Sequence, residues 1–267
     1  MLETGRSLPG QRRVEHVMGM PVSVDIRDAT VRAGALDAVF GWLRQVDEVF
    51  STFKDTSEIS RLGRGAIGLA ECGADVRAVL ELCERLREET GGYFDVRVGP
   101  AGRPDPSGLV KGWAVERAST LLVELGSANH CINAGGDVRL RGAPEPGEQW
   151  HVGIVHPFDR SALTAVVAGN DLAVATSGTA ERGLHVVDPH TGLPVTDLAS
   201  VTVVGPELAF ADAYATAALA MGLRAPAWLA TLPGREAYVI DSAGHGWASA
   251  GWGRLAISLI ADPVPPA

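Results

Sequence analysis

Apolar positions along the chain recur with two periods. Leu36, Val39, Phe40, Leu43, Val46, Val49 and Phe50 fall three or four residues apart, which lays them on one side of a long amphipathic helix. Val76, Val79, Leu80, Cys83 and Leu86 repeat the pattern in a second helix, with Asp75 as its expected N-cap and Gly91-Gly92 as its stop. A third helix is expected from about Lys111 to Leu125, ending at Gly126. Before the first helix, Val22, Val24 and Ile26 alternate within the stretch 14–27, the pattern of a single strand with one buried face.

Past the third helix the character changes. The segments 130–133, 138–140, 150–155, 163–167, 172–175 and 200–204 read as short strands separated by Gly, Pro, Asn or Asp. Their loops are too short for helical crossovers, so the sheet should be mostly antiparallel. A helix over 209–221, a short helical piece near Trp228 and strands near 237–240 and 255–260 complete the pattern. The expectation is an α+β fold with helices flanking the sheet, organised as a polar leader (1–13), one domain (14–262) and a short tail (263–267).

Composition narrows the function classes. Apolar residues make up 46% of the 267 and charged residues 21%, enough apolar material for a substantial core. A net charge of −9 has the wrong sign for a chain that coats nucleic acid or anionic lipid, so any phosphate must be held locally. Cys72, Cys83 and Cys131 are odd in number and lack zinc-type spacing, and they read as reduced and mostly buried. No segment approaches about 18 uninterrupted apolar residues, and the first 15 have no signal-like run. A cytoplasmic location is expected.

Five constellations could carry chemistry. Asp212 and Thr216, four apart on a helix, share one face and offer oxygens to a hard cation, although a Thr bonding back to a helix carbonyl would leave the same trace. Asp105-Pro-Ser-Gly108-Leu-Val-Lys111 should form a non-helical turn whose amides and lysine suit an anion, or else serve as an ordinary helix start. Asn133-Ala-Gly135-Gly136-Asp137 reads by default as a hairpin turn. Thr176 and Ser177 close a strand shortly before His185-Val-Val187-Asp188-Pro-His190, where hydroxyls and titratable groups crowd together. Phe53 and Tyr93-Phe94-Asp95 offer aromatic surface beside a carboxylate, suited to a flat heterocycle or to core packing.

The order of these motifs is specific. Val17-Met18-Gly19-Met20, Phe50 to Phe53 with Ser57 to Leu62, Tyr93 to Val96, Asp105 to Trp113, Asn133 to Asp137, Ala175 to Gly178, His185 to Gly192 and Ala211 to Thr216 together resemble the ApbE family of FAD:protein FMN transferases. The resemblance runs from about Met18 to the C-terminal strand. It implies a T-fold-like α+β architecture with an FAD cleft and a Mg²⁺ ion beside the diphosphate. By motif position it implies FAD contacts at Met18, Phe53, Tyr93, Phe94, Asp95, Asp105, Lys111 and Val187, and metal ligands at Asp212, Thr216 and the Gly108 carbonyl. Thr176 and Ser177 are added as flavin-site residues.

The reaction so implied moves FMN from FAD onto a Ser or Thr hydroxyl of an acceptor protein and releases AMP. His185 is the expected general base, with Asp188 or the Thr176 and Ser177 hydroxyls fixing its tautomer. Three positions depart from the family's usual pattern: Phe53 for Tyr, Gly63 for Asn and Ala215 for a further Asp. The segment between Pro100 and Asp105 is also short. These departures keep two alternatives open, a Mg²⁺-dependent FAD pyrophosphatase and an FAD-binding protein without turnover.

Overall fold

The computed structural model describes residues 10–98, 102–179 and 186–259. It opens with a hairpin, β1 (Gln11–Val17) and β2 (Met20–Ile26). Met18 and Gly19 between them have φ of 55° and 74°. Two successive positive φ values make a tight hairpin turn whose twist matches the flanking strands. The stretch expected as one strand is therefore two, and Gln11 to Arg13, expected in the polar leader, pair in β1 with Ile26, Asp25 and Val24.

Four helices follow: α1 (Ala35–Phe50), α2 (Glu58–Gly63), α3 (Ala74–Glu89) and α4 (Ser107–Glu124). The apolar stripe of α1 is buried as its spacing requires. In α3 the N-cap is Gly73, and Asp75 sits in the first turn, where its charge faces the positive end of the helix dipole. The start of α4 lies four residues before the expected one. Ser107 and Gly108, expected outside the helix, belong to its first turn, because Pro106 supplies a helix-compatible φ and an N-cap position that needs no amide.

The remaining strands are β3 (His130–Ala134), β4 (Asp137–Arg141), β5 (Trp150–Val155), β6 (Leu163–Gly169), β7 (Ala173–Gly178), β8 (Val187–Asp188), β9 (Leu193–Pro194) and β10 (Leu198–Gly205). Helix α5 (Leu208–Met221) and the short α6 (Ala225–Leu229) come next, then β11 (Glu236–Asp241), β12 (Gly246–Ala248) and β13 (Ala256–Leu259). The large sheet has the order β1-β2-β3-β4-β7-β10-β11-β12, a second sheet has β13-β6-β5, and β8 and β9 form a separate hairpin. Every described strand pair is antiparallel.

The layers are helices, large sheet and small sheet. One apolar core, including Val24, Phe40, Leu86, Leu109, Val201 and Leu208, lies between the helices and the large sheet. A second, including Leu140, Trp150, Ile154, Val174 and Trp252, lies between the two sheets. Central strand β10 is covered on both faces and buried at all eight positions, which is why its sequence is an apolar run without alternation. Helix α5 is equally enclosed, with 12 of its 14 residues buried, and its many alanines let it sit close to the sheet and to α4. Among the described residues no helix is long and apolar enough to cross a membrane.

Candidate active site

Helices α4 and α5 run antiparallel and touch along a seam of small residues. At one end, a Cβ added to Gly108 would stand 3.3 Å from Thr216 Cγ2 and from Phe94 Cε2. One turn along, a Cβ at Gly112 would lie 2.5 Å from the Leu208 carbonyl oxygen and 3.0 Å from Asp212 Cβ. Glycine is required at this second point by close approach, since backbone cannot yield to a methyl group. The seam lets the Gly112 amide donate to Asp212 Oδ2 at 3.0 Å.

Asp212 is buried and central. Its Oδ1 lies 3.5 Å from Lys111 Nζ, which in turn is 2.6 Å from Asp137 Oδ2. Burial pushes the Asp212 carboxyl up to about 7, opposed by Lys111 and reinforced by the like charge of Asp137. Asp137 is nearly inaccessible as well, and its Oδ1 accepts the Thr176 amide at 3.1 Å. The Thr176 hydroxyl meets that of Thr202 at 2.9 Å, and the Ser177 hydroxyl meets that of Thr216 at 3.2 Å, so the end of β7 is tied to both β10 and α5.

These groups open onto a cavity of about 1030 Å³, the upper range for a small-molecule site and large enough for a dinucleotide. Of the residues singled out in the sequence, Met18, Phe53, Tyr93, Phe94, Asp95, Asp105, Gly108, Lys111, Thr176, Ser177, Val187, Asp212 and Thr216 all line it. They do so in different states. Phe53 stands almost wholly in solvent at the rim, 98% exposed, whereas Phe94 is buried against the core. Asp95 is gripped by the Arg97 guanidinium at 2.7 to 3.3 Å, which holds its carboxyl below the usual range. Asp105 accepts the Ser107 amide at 3.0 Å and so steadies the start of α4. The Tyr93 ring packs edge-on against His190, 4.6 Å between centroids, and its hydroxyl accepts from Arg224.

Asp188 is the exception. It does not line the large cavity; its Oδ1 accepts the His190 amide at 2.8 Å and its carbonyl closes the β8–β9 turn on Thr191 and Gly192. A carboxylate committed to this turn faces the smaller cavity beneath α5. His185, the expected base, lies outside the described residues.

Sequence reasoning missed several lining groups. Asp137 was passed over as part of a hairpin turn, although a carboxylate directly after Gly135-Gly136 was a usable signal. The end of β5 and the loop after it, including Val155, His156 and Arg160, also line the cavity, and their strand carried no distinguishing residue. The departures acquire physical reasons. A Cβ at Gly63 would lie 3.2 Å from Pro104 Cδ and 3.3 Å from Arg103 Cβ, so the shortened segment before Asp105 packs where a larger side chain would stand. Ala215 is wholly buried in the apolar core and does not line the cavity.

The donor set suits a hard divalent cation. Asp212 Oδ1 is turned toward Lys111, its other oxygen is held by Gly112, and the Thr216 hydroxyl and Gly108 adjoin it on the cavity wall, all oxygen chemistry. Burial favours the neutral form of this carboxyl, and a cation beside it would favour the charged form.

Fold and cleft together define an α+β protein with a dinucleotide-sized pocket whose one wall is an oxygen-lined helix seam. The ApbE family model matches residues 18–104 and 101–239, and the chain belongs to the ApbE family. Similar proteins named FAD:protein FMN transferase include one from Haemophilus influenzae, 27% identical, with 67% of this chain and 70% of the relative covered. Another, from Treponema pallidum, is 28% identical over 85% of this chain and 83% of its own. Among solved structures, the ApbE protein of Thermotoga maritima superposes with a TM-score of 0.85 at 20% identity, covering 93% of this chain and all of its own. The flavin transferase ApbE of Vibrio cholerae gives 0.80 at 22% identity, covering 92% of this chain and all of its own. Both likenesses show the fold.

Proposed function

We propose that this protein is an FAD:protein FMN transferase that attaches FMN through a phosphoester to a Ser or Thr hydroxyl of an acceptor protein and releases AMP. The observation that carries the reading is the cavity that brings Lys111, Asp212, Thr216 and Gly108 to one wall and Tyr93, Phe94 and Met18 to its lining, in a chain of this family. When bound, Mg²⁺ would neutralise diphosphate charge at the Asp212 carboxylate, the Thr216 hydroxyl and the Gly108 carbonyl.

The rest is the work of the chain's own groups. Lys111 presents its ammonium to the diphosphate while Asp137 restrains it from the other side. The acceptor hydroxyl attacks the phosphorus on the FMN side, its oxygen forms the new bond, and the bond to the AMP phosphate breaks. His185 takes the hydroxyl proton, a role that an imidazole suits. The unpaired thiols Cys72, Cys83 and Cys131 suit a reducing compartment, and we place the reaction in the cytoplasm.

The test is to incubate the protein with FAD and Mg²⁺, with and without an acceptor protein, and to follow AMP and protein-bound flavin. AMP and bound flavin that depend on acceptor are the expected result. AMP without acceptor would make it a pyrophosphatase, and no AMP would make it a flavin-binding protein. A His185→Ala variant should keep FAD affinity and lose roughly 10²- to 10⁴-fold in single-turnover rate.

A further inference from the structure

The N-terminus of α5 has no cap of its own. Its N-cap residue, Glu207, makes no side-chain bond to the helix, although the first amides of any helix lack internal partners. The partner comes from another helix: Glu116 on α4 accepts the amide of Leu208, the first residue of α5, at 2.8 Å through Oε2. Its other oxygen accepts from Arg139 Nε at 3.0 Å, and Arg139 is 1% exposed. Arg139 belongs to β4, the strand that begins with Asp137. One carboxylate thus ties together the helix bearing Lys111 and Gly108, the strand bearing Asp137 and the helix bearing Asp212 and Thr216.

Its place along the seam is regular. Gly108 faces Thr216, Gly112 faces Asp212, and Glu116, one further turn on, meets Leu208, one turn before Asp212. The two glycines permit close approach but carry no side chain to interlock, so the register rests on hydrogen bonds, from the Gly112 amide to Asp212 and from the Leu208 amide to Glu116. The Glu116 bond is directional and fixed at both ends.

We infer that Glu116 is a positioning residue that sets the register of α5 on α4 and so holds Asp212 and Thr216 opposite Gly108. This rests on the reading of those three as cation ligands. Glu116 touches neither substrate nor metal; it acts by fixing which turn of α5 faces the cavity.

The test uses Mn²⁺ alone as a probe, titrated onto the full chain by paramagnetic resonance, with melting temperature measured on the same samples. Glu116→Ala should weaken Mn²⁺ binding at least tenfold, and Glu116→Gln, which keeps an oxygen for the Leu208 amide, should stay within threefold. Adding Glu207→Asp to Glu116→Ala gives α5 a local cap, which should recover melting temperature and leave Mn²⁺ binding weak, because that cap does not reach α4. If Glu116→Ala does not fold, Glu116→Asp carries the test: one methylene shorter, it cannot reach Leu208 and Arg139 together, and the same tenfold loss is expected. Native Mn²⁺ affinity in a folded Glu116→Ala or Glu116→Asp protein would overturn the inference, as would recovery of affinity along with stability in the double variant. Asp212→Ala is the control. If it abolishes Mn²⁺ binding while the Glu116 variants do not change it, the brace alone is wrong; if it leaves binding intact, the ligand reading is wrong and the inference falls with it.

Discussion

Asp212 combines two opposed demands in one side chain. As a proposed cation ligand it should be charged, and the cavity wall where it sits is buried. Its folded value of about 7 lies above the ordinary 3.8, so the fold favours the protonated form. The resulting stability cost sets in as pH rises past the unfolded value and is complete above about 7. Asp212→Asn removes that cost while keeping an acceptor for the Gly112 amide. In metal-free buffer at pH 8 the variant should be more stable by at least about 1 kcal/mol, seen as a melting temperature higher by about 2–4 °C. The difference should shrink toward pH 4. Cation-dependent AMP release should meanwhile fall by two or more orders of magnitude, since the anionic oxygen is gone. A less stable Asn variant at pH 8 would show that Lys111 keeps the native carboxylate ionised.

Elements differ in how openly the chain displays them. The stripe of α1 is spaced for one wet face and one dry face, and it is legible because nothing else competes for those positions. The β1–β2 turn was obscured by Met18, a residue rarely found at positive φ, though Gly19 beside it was a cue. Strand β12 and the β8–β9 hairpin have two or three residues per strand, too few for any period to show. Within the site, motifs that run along one element were readable, as with Asp212 and Thr216. Asp137 and Glu116 were not, because their partners lie on other elements and exist only after packing.

The α4–α5 seam makes a sharp prediction at this scale. Replacing glycine by alanine inside a helix ordinarily gains about 1 kcal/mol. At Gly112 the new methyl group would meet the Leu208 carbonyl at 2.5 Å, so Gly112→Ala should instead destabilise by about 1–3 kcal/mol in urea unfolding. A second junction, between α4 and β3, is held by His130, whose ring nitrogens lie 2.8 Å and 3.0 Å from the Ser119 and Ser127 hydroxyls. Burial, helped by Arg141 and Arg139, lowers its titration from 6.5 to about 4. The unfolded chain binds the extra proton between those values, so stability should fall by up to about 3 kcal/mol as pH drops from 6.5 to 4. Denaturant midpoints across that range should show the slope, and His130→Asn should flatten it.

At the scale of the whole molecule the cavity is assembled from all three layers: helix starts, large-sheet strand ends and the edge of the small sheet. A ligand spanning the pocket therefore adds a further link among all three layers. FAD should bind more tightly than FMN in calorimetry, because the adenylate half adds contacts along the same wall. It should also raise the melting temperature more at equal free concentration, by mass action. Equal affinities would place the adenylate outside the pocket.

The seam also has a consequence during synthesis. Gly112 and Asp212, bonded in the finished protein, are 100 positions apart in the chain, and β2 waits for β3 across a comparable distance. At about 5–20 residues per second, the ribosome delivers Asp212 on the order of 5–20 s after Gly112. A nascent chain has Lys111 and the start of α4 long before it has Asp212 and Thr216. On the proposed function, flavin capture must wait until α5 has emerged, and chains released before then would carry one wall of the pocket and be unable to retain FAD.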